Sequence, residues 1–420
     1  MDSSAPSAQA LLFEPLTVRG VTFRNRTMVS PMCMYSATDG RPNDYHLVHL
    51  GRFALGGFGL VFAEATSVEA RGRISLGDAG LWSDEQIEPW RRVTDFVRAY
   101  GAVPGVQLAH AGRKASTIMP WDGGTPLAPT DAAGQPLGWE TVGPAAIPAK
   151  EDWPSPAQLS VGEIGELVAA WRDAARRACE AGFEVIEVHG AHGYLIHSFL
   201  SPISNTREDE YGGDLGGRMR FALEIASAVR EAWPEHLPLF WRVSALDGID
   251  GGWTMEDTIL LCHELQQRGV DVIDTSSGGI SMDPSSYHRI RRGYAFHTPY
   301  STRIREETGM CTATVGLIVD PVQAEDILQQ GEADIIAIGR EALANPQWAH
   351  DARAVLVGDG FGAWPKKTGW WLEVRAPTLR RLEEAGESPR GVRHGTPIGP
   401  PNAEDVLAPP SEPSRSSVRG

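Results

Sequence analysis

The stretch that decides the fold runs from Ser160 to Tyr194. It opens with Ser160-Val-Gly-Glu163, continues as an amphipathic run to Gly182, and then reads Val185-Ile-Glu-Val-His189-Gly-Ala-His-Gly-Tyr194. Ser160 and Glu163 have capping-box spacing, in which each side chain bonds the other residue's backbone N–H, so a helix begins there. Val185–His189 is short and mostly apolar, as expected of a strand buried on both faces of a parallel sheet. Helix, glycine, strand and polar loop make one unit of an alternating α/β architecture.

The same unit recurs in both directions. Strand candidates are Thr27–Pro31, Gly59–Ala65, Val103–His110, Val185–His189, Leu239–Ser244, Val270–Ser276, Thr312–Ile318 and Ile335–Gly339. Thr254 caps a helix ending at Gly269. Asp320-Pro321 is an N-cap followed by proline at the first helical position, and Gly331 marks the far end of that helix. Eight strands alternating with helices predict an α/β fold, a closed (β/α)8 TIM barrel; an open doubly wound sheet is the alternative, because spacing does not reveal closure. Two segments break the rhythm. Ser116–Ser160, rich in Pro, Gly and Trp, is a long insertion after strand 3; on the catalytic face it would roof a site. Residues 384–420 are rich in Pro and Ser without periodicity and are expected to be disordered, leaving 1–383 as the barrel domain.

The chain has 420 residues, 42% of them apolar, with 38 Lys plus Arg against 54 Asp plus Glu and a net charge of −16. An acidic chain without a dense basic run is not expected to bind nucleic acid or an anionic membrane. No apolar stretch is long and charge-free enough to span a bilayer. Met1–Gln9 lacks the order of a signal peptide. Cys33, Cys179, Cys262 and Cys311 lie far apart, without metal-ligand spacing. A cytoplasmic protein with free thiols is the expectation.

In a barrel the chemistry lies at the C-terminal ends of the strands. Those ends read Pro31-Met-Cys-Met-Tyr35, Glu64-Ala-Thr66, Gln107-Leu-Ala-His-Ala-Gly-Arg-Lys114, His189-Gly-Ala-His-Gly-Tyr194, Arg242-Val-Ser244, Ser276-Ser-Gly-Gly279, Val315-Gly316 and Ile338-Gly-Arg340. Gly316 and Gly339 permit close backbone approach and Arg340 offers a forked cation, the elements of a phosphate site. On the Gly-Arg pair alone a tight turn with a surface arginine fits equally well; the barrel context favours phosphate. His189 and His192 can polarise a carbonyl or phenolate oxygen, and Tyr194 can donate a proton. Satisfied core histidines remain an alternative. A metal pair would need a further ligand cluster that the neighbouring strand ends lack. His197 reads as structural. Cys33 reads as a small buried hydrophobe on its own, but it stands at a barrel mouth beside Tyr35.

Taken together these residues resemble the old yellow enzyme family, in its thermophilic-like bacterial class. The matching stretches are Asn25-Arg26, Ser30-Pro-Met-Cys-Met-Tyr35, Glu64-Ala-Thr66, Gln107–Lys114, Val188–His197, Phe199-Leu-Ser-Pro202, Asn205-Thr-Arg-Glu-Asp-Glu-Tyr-Gly-Gly213, Arg242-Val-Ser244 and Ile338-Gly-Arg340, in order over about Phe13 to Ala349. The resemblance implies FMN reduced by NADPH, with hydride passed to the β-carbon of an activated alkene: an enone, enal, maleimide or nitroalkene. It implies that Pro31, Cys33, Ala65, Gln107 and Arg242 hold the isoalloxazine ring, and that Gly316, Gly339 and Arg340 hold the phosphate. His189 and His192 then bind the activating oxygen, Tyr194 donates the proton, Tyr35 is an active-site tyrosine, and Lys114 lies near the cofactor. A homodimer or homotetramer is implied, with a small unsaturated carbonyl or nitro substrate. In that class an arginine or tryptophan near the C-terminus reaches a neighbouring site. The corresponding stretch here, 364–372, contains Trp370 and Trp371, for which a dimer contact or a cover for the barrel bottom fits equally. Competing readings are another FMN barrel, a metal-dependent hydrolase or lyase, and a barrel that only binds a ligand.

Overall fold

The structure is a computed structural model, described for residues 10–135, 137–283 and 290–387. Met1–Gln9 and the part of the expected tail beyond 387 lie outside the described residues.

Eight parallel strands close into a barrel: β1 (Thr27–Val29), β2 (Leu60–Ser67), β3 (Val103–Ala109), β4 (Val185–Gly190), β5 (Leu239–Ser244), β6 (Val272–Ser276), β7 (Cys311–Thr314) and β8 (Ile335–Ile338). Closure is explicit in the register, where Ile336, Ala337 and Ile338 of β8 pair with Thr27, Met28 and Val29 of β1. That settles the choice against an open sheet. Every residue of β2 to β6 is buried, which is why these strands read as near-continuous apolar runs. Strand β7 stops at Thr314, short of the expected Ile318. Gly316 (φ +124°) and Leu317 (φ +55°) leave extended backbone there, and the chain turns across the barrel mouth instead.

The β2–β3 ladder carries a register shift at the mouth. Ala63 pairs with Val106 and Ala65 with Gln107, so Glu64 is an extra, unpaired residue. At the opposite end of the barrel a hairpin not foreseen in the sequence, Leu16–Val18 with Val21–Phe23, sets the Phe23 ring edge-on to Phe240.

The helices are α1 (Asp44–Leu55), α2 (Ile87–Ala99), α3 (Val161–Glu180), α4 (Leu195–Leu200), α5 (Leu215–Ala232), α6 (Met255–Gln267), α7 (Thr298–Thr308), α8 (Pro321–Gln329), α9 (Arg340–Ala344), α10 (Trp348–Leu356) and α11 (Lys366–Glu384). The expected caps are present. Ser160 and Glu163 form the capping box of α3, Thr254 caps α6 together with Asp257, and Asp320 caps α8 through Val322 and Gln323 N–H. Each such cap contributes about 1 kcal/mol. Trp171 of α3 is fully buried against the barrel wall; truncation of such a residue costs about 3–5 kcal/mol. The insertion after β3 holds only a 3-10 turn, Pro120–Asp122, and the two-residue strands Val142–Gly143 and Ala157–Gln158. Chain contacts divide the protein into a barrel unit ending at Pro365 and a second unit beginning at Lys366. Helix α11 belongs to the second unit, whereas the sequence placed its domain boundary at 383.

Candidate active site

The strand ends bring most of the sequence-selected residues to one mouth. After β1 the chain runs through Pro31, Cys33 and Tyr35. The extra carboxylate in β2 fixes this loop: Glu64 Oε2 accepts from Met34 N–H at 2.9 Å and Tyr35 N–H at 3.3 Å, while Oε1 lies 3.1 Å from His46 Nε2. Tyr35 is held at φ +51°, a conformation that non-glycine residues rarely adopt without such anchors. Cys33 and Tyr35 pack with Trp139 and Tyr194 around Ile74, Ala111 and Ala115. Burial, then the charges of Asp78 and Glu64, push the Cys33 thiol well above its ordinary value, so it is a thiol and not a thiolate.

Buried Gln107 donates its side-chain N–H to Glu187 Oε1 at 2.7 Å. Its carbonyl and second N–H remain for other partners. Arg242, also buried, reaches Ser30 Oγ at 3.1 Å and Asp274 Oδ2 at 3.3 Å.

The β4 end is the most constrained. Ala191 N–H donates to His189 Nδ1 at 3.2 Å, which assigns the His189 proton to Nε2. His192 Nδ1 lies 3.3 Å from that Nε2, and His192 Nε2 lies 2.6 Å from Ser276 Oγ. Burial, reinforced for His189 by Arg242 and for His192 by His189 and Arg242, holds both imidazoles well below the ordinary histidine value. Both are neutral. Tyr194 sets its ring edge-on to His189 at 4.9 Å, and burial raises its phenol well above 10, so it keeps its proton.

Three supports hold this loop. His192 sits at φ +61°, and its carbonyl accepts from Lys114 Nζ at 2.8 Å; the same ammonium also bonds Gly279 O. Burial, with a smaller push from Arg113, lowers Lys114 to about 7. Gly279 (φ +94°) passes so close that a Cβ there would meet His192 Cα at 2.4 Å. Finally, His197 Nδ1 accepts Gly193 N–H at 2.8 Å, with its Nε2 3.0 Å from buried Asp247. Lys114 thus acts on the His192 backbone.

The β7 and β8 ends are open by comparison. Pro31, Arg242, His297, Gly316, Gly339 and Arg340 line a cavity of about 360 Å³. A second cavity, about 630 Å³, runs past His192, Ser276 and Gly279 and shares Phe296, His297, Leu317 and Arg340 with the first. A third, about 280 Å³, lies under the insertion between Leu127, Trp139 and Trp153. It is lined by Arg113 but by none of His189, His192, Tyr194, Arg242 or Arg340, which stand at the strand ends. Ala65 follows the extra residue of β2 and is buried.

Sequence reading placed Glu64 and Ser276 at strand ends without giving either a role, and missed His297, Glu187 and Asp274. The signal for the last two was present: each is a carboxylate inside an apolar strand run. Among the described residues no three His, Cys, Asp or Glu side chains converge as a metal site, and no helix is long and apolar enough to cross a membrane.

A parallel barrel whose mouth gathers the buried Arg242, the exposed Arg340, two neutral imidazoles and a phenol at the ends of β4, β5 and β8 is suited to bind an anionic cofactor beside polarising groups. Residues 11–356 match the NADH:flavin oxidoreductase / NADH oxidase family. The chain is 44% identical to an NADPH dehydrogenase of Geobacillus sp. (strain WCH70) over 364 residues, 86% of this chain and 99% of that protein. Morphinone reductase in complex with tetrahydroNAD superposes with a TM-score of 0.67 at 26% identity, over 82% of this chain and 91% of that one. A 2-naphthoyl-CoA reductase superposes with a TM-score of 0.71 at 24% identity; the match covers 84% of this chain but 53% of that one, and it bears on the fold alone. The chain belongs to the NADH:flavin oxidoreductase family, the old yellow enzymes, and is an FMN-dependent NAD(P)H oxidoreductase.

The residues present fit FMN. Arg242 Nε is buried without a hydrogen-bond partner among the described residues, where an acceptor-rich ligand would satisfy it. Among the described residues nothing pairs with the Arg340 guanidinium. Beside it Gly339 leaves space in which a Cβ would meet only Met32 Sδ, at 4.0 Å.

Proposed function

We propose that the enzyme is an ene-reductase that uses NADPH to reduce the C=C bond of enones, enals, maleimides or nitroalkenes. The observation that carries this reading is the pair of neutral imidazoles, His189 and His192, beside the protonated phenol of Tyr194. Bound FMN would supply hydride transfer from NADPH to the β-carbon of the alkene. Pro31, Cys33, Ala65, Gln107 and Arg242 would hold its ring, and Gly316, Gly339 and Arg340 its phosphate.

Arg242 supplies a fixed positive charge where electron density accumulates on reduction, which stabilises the reduced state without reorganisation. His189 Nε2–H, which lies 3.3 Å from His192 Nδ1, would exchange that contact for the substrate's carbonyl or nitro oxygen. For His192 to donate to the same oxygen its proton must sit on Nδ1, and Ser276 O–H must then donate into Nε2 at the observed 2.6 Å. Two such donors withdraw electrons from the alkene and make the β-carbon electrophilic. Tyr194 Oη then gives its proton to the α-carbon. The insertion and Tyr35 cover the mouth and restrict water.

The test is Tyr194→Phe, followed by stopped flow in both half-reactions. Reoxidation by an enone should slow by about 10²–10⁴, the usual contribution of a positioned general acid, while reduction by NADPH is nearly unchanged. Equal loss in both would remove the proton-donor role. The same reading extends to a cytoplasmic homodimer or homotetramer. It is supported by four cysteines without a disulfide and by Trp370, Trp371 and Val374 exposed on α11. Light scattering on the purified holoenzyme decides the assembly.

A further inference from the structure

Inside the barrel, beneath Gln107 and Arg242, two carboxyl groups stand together. Glu187 on β4 and Asp274 on β6 are both fully buried and share a hydrogen bond. The register places Gln107 beside Glu187 and Arg242 beside Asp274. Gln107 donates to Glu187 Oε1 at 2.7 Å, and Arg242 Nη1 lies 3.3 Å from Asp274 Oδ2. The backbone N–H of Thr275 also reaches the Asp274 carboxyl, and among the described residues no other donor reaches Glu187 Oε2.

Ionising both of two adjacent, fully buried carboxyl groups beside one cation is strongly disfavoured. A carboxyl–carboxyl hydrogen bond also requires a proton on one of them. Arg242 favours the charge on Asp274, so the proton belongs to Glu187. We propose that Glu187 and Asp274 form a dyad sharing one proton, and that Asp274 is a positioning residue which sets the reduction potential of bound flavin through Arg242. The proposal rests on Arg242 facing the ring, as read above.

Charge arithmetic gives the consequence. Arg242 contributes +1, Asp274 −1 and Glu187 nothing. The nearby His189 and His297 are held neutral by burial and by Arg242 itself. Asp274 therefore offsets the cation that would otherwise stabilise the reduced ring in full. Glu187 contributes orientation, through Gln107 on one side and Asp274 on the other, and no charge.

The test is the flavin midpoint potential of Asp274→Asn and Glu187→Gln holoenzymes, by equilibrium reduction against reference dyes. Asp274→Asn should favour reduced over oxidised FMN by about tenfold, a rise of about 30 mV for two electrons. Glu187→Gln replaces a neutral donor with a neutral donor and should leave the potential in place. An unchanged potential in Asp274→Asn, or an equal rise in Glu187→Gln, overturns the proposal. Arg242→Gln separates the two layers. If it leaves the potential unmoved, the placement of Arg242 at the ring fails, and the coupling with it. Infrared spectroscopy of the wild-type holoenzyme decides the dyad itself, whether or not a variant folds. A deuterium-sensitive C=O stretch of a buried protonated carboxyl is expected, and its absence refutes the shared proton.

Discussion

The two sides of the barrel mouth are built differently. At the end of β4, His189, His192 and Tyr194 are held by the protein's own bonds: Ala191 N–H, Ser276, Lys114, the backbone of Gly279 and the Asp247–His197–Gly193 chain. At the ends of β7 and β8, Gly316, Gly339 and Arg340 line a cavity, and the buried Arg242 Nε lacks a partner among the described residues. One side is held by the protein's own bonds; under the proposed function the other would be completed by a ligand. Groups that must orient a reacting bond need fixed geometry, since a misplacement of about 1 Å can cost about 10²-fold. Groups that only anchor an anion can leave their donors open until it binds.

Disturbing the fixed side should do most harm. Gly279→Ala forces a Cβ against His192 Cα at a positive φ, and overpacking of this kind costs about 1–3 kcal/mol. Enone reduction by the folded variant should fall by about 10², with reduction by NADPH retained; matched losses in stopped flow would show that the loop does not need this geometry. Arg340→Ala attacks the open side. Loss of a charge-assisted hydrogen bond of about 1.5–3 kcal/mol should weaken FMN binding by about 10–100-fold in titrations of the apoprotein, while turnover at saturating FMN recovers. Failure to recover would mean that Arg340 also shapes the substrate side.

The smallest effect is in stability. Lys114 falls from 10.5 to about 7 in the folded protein. Between those values the unfolded chain binds a proton that the folded one does not, so stability rises with pH across that window, by at most about 1.4 kcal/mol per unit. Below about 7 the side chain is charged in both states and its burial penalty is constant. Melting temperatures of wild type and Lys114→Met should therefore diverge in favour of wild type from pH 7 to 10. Parallel curves would remove the linkage.

How much of this was legible in the sequence follows the same division. All eight strands could be read because parallel strands buried on both faces are apolar along their length, and the helix caps because Ser160, Thr254 and Asp320 act within four residues of themselves. Gly316, Gly339 and Arg340, which line the open cavity, could be picked out as Gly-rich strand ends with one arginine. The supports of the fixed side were not. Ser276 became a partner of His192 only when β4 and β6 were brought to one mouth. His197 read as structural, and its link to Asp247 spans 50 residues of chain that no local pattern connects. Strand β7 was read four residues too long because Leu317 and Ile318 are apolar, while the turn depends on backbone angles that composition does not encode.

Glu64 has one more consequence. It is the residue by which β2 exceeds its partner, so Ala65, Thr66 and Ser67 pair with Gln107, Leu108 and Ala109 as they would if it were absent. The acceptor for Met34 and Tyr35 N–H is thus an inserted part. Removing it by deletion leaves the ladder in phase, whereas substitution leaves a kink with no cargo. The first loop of the mouth hangs from the barrel on a detachable bracket, and its position can be re-engineered without re-phasing a single strand.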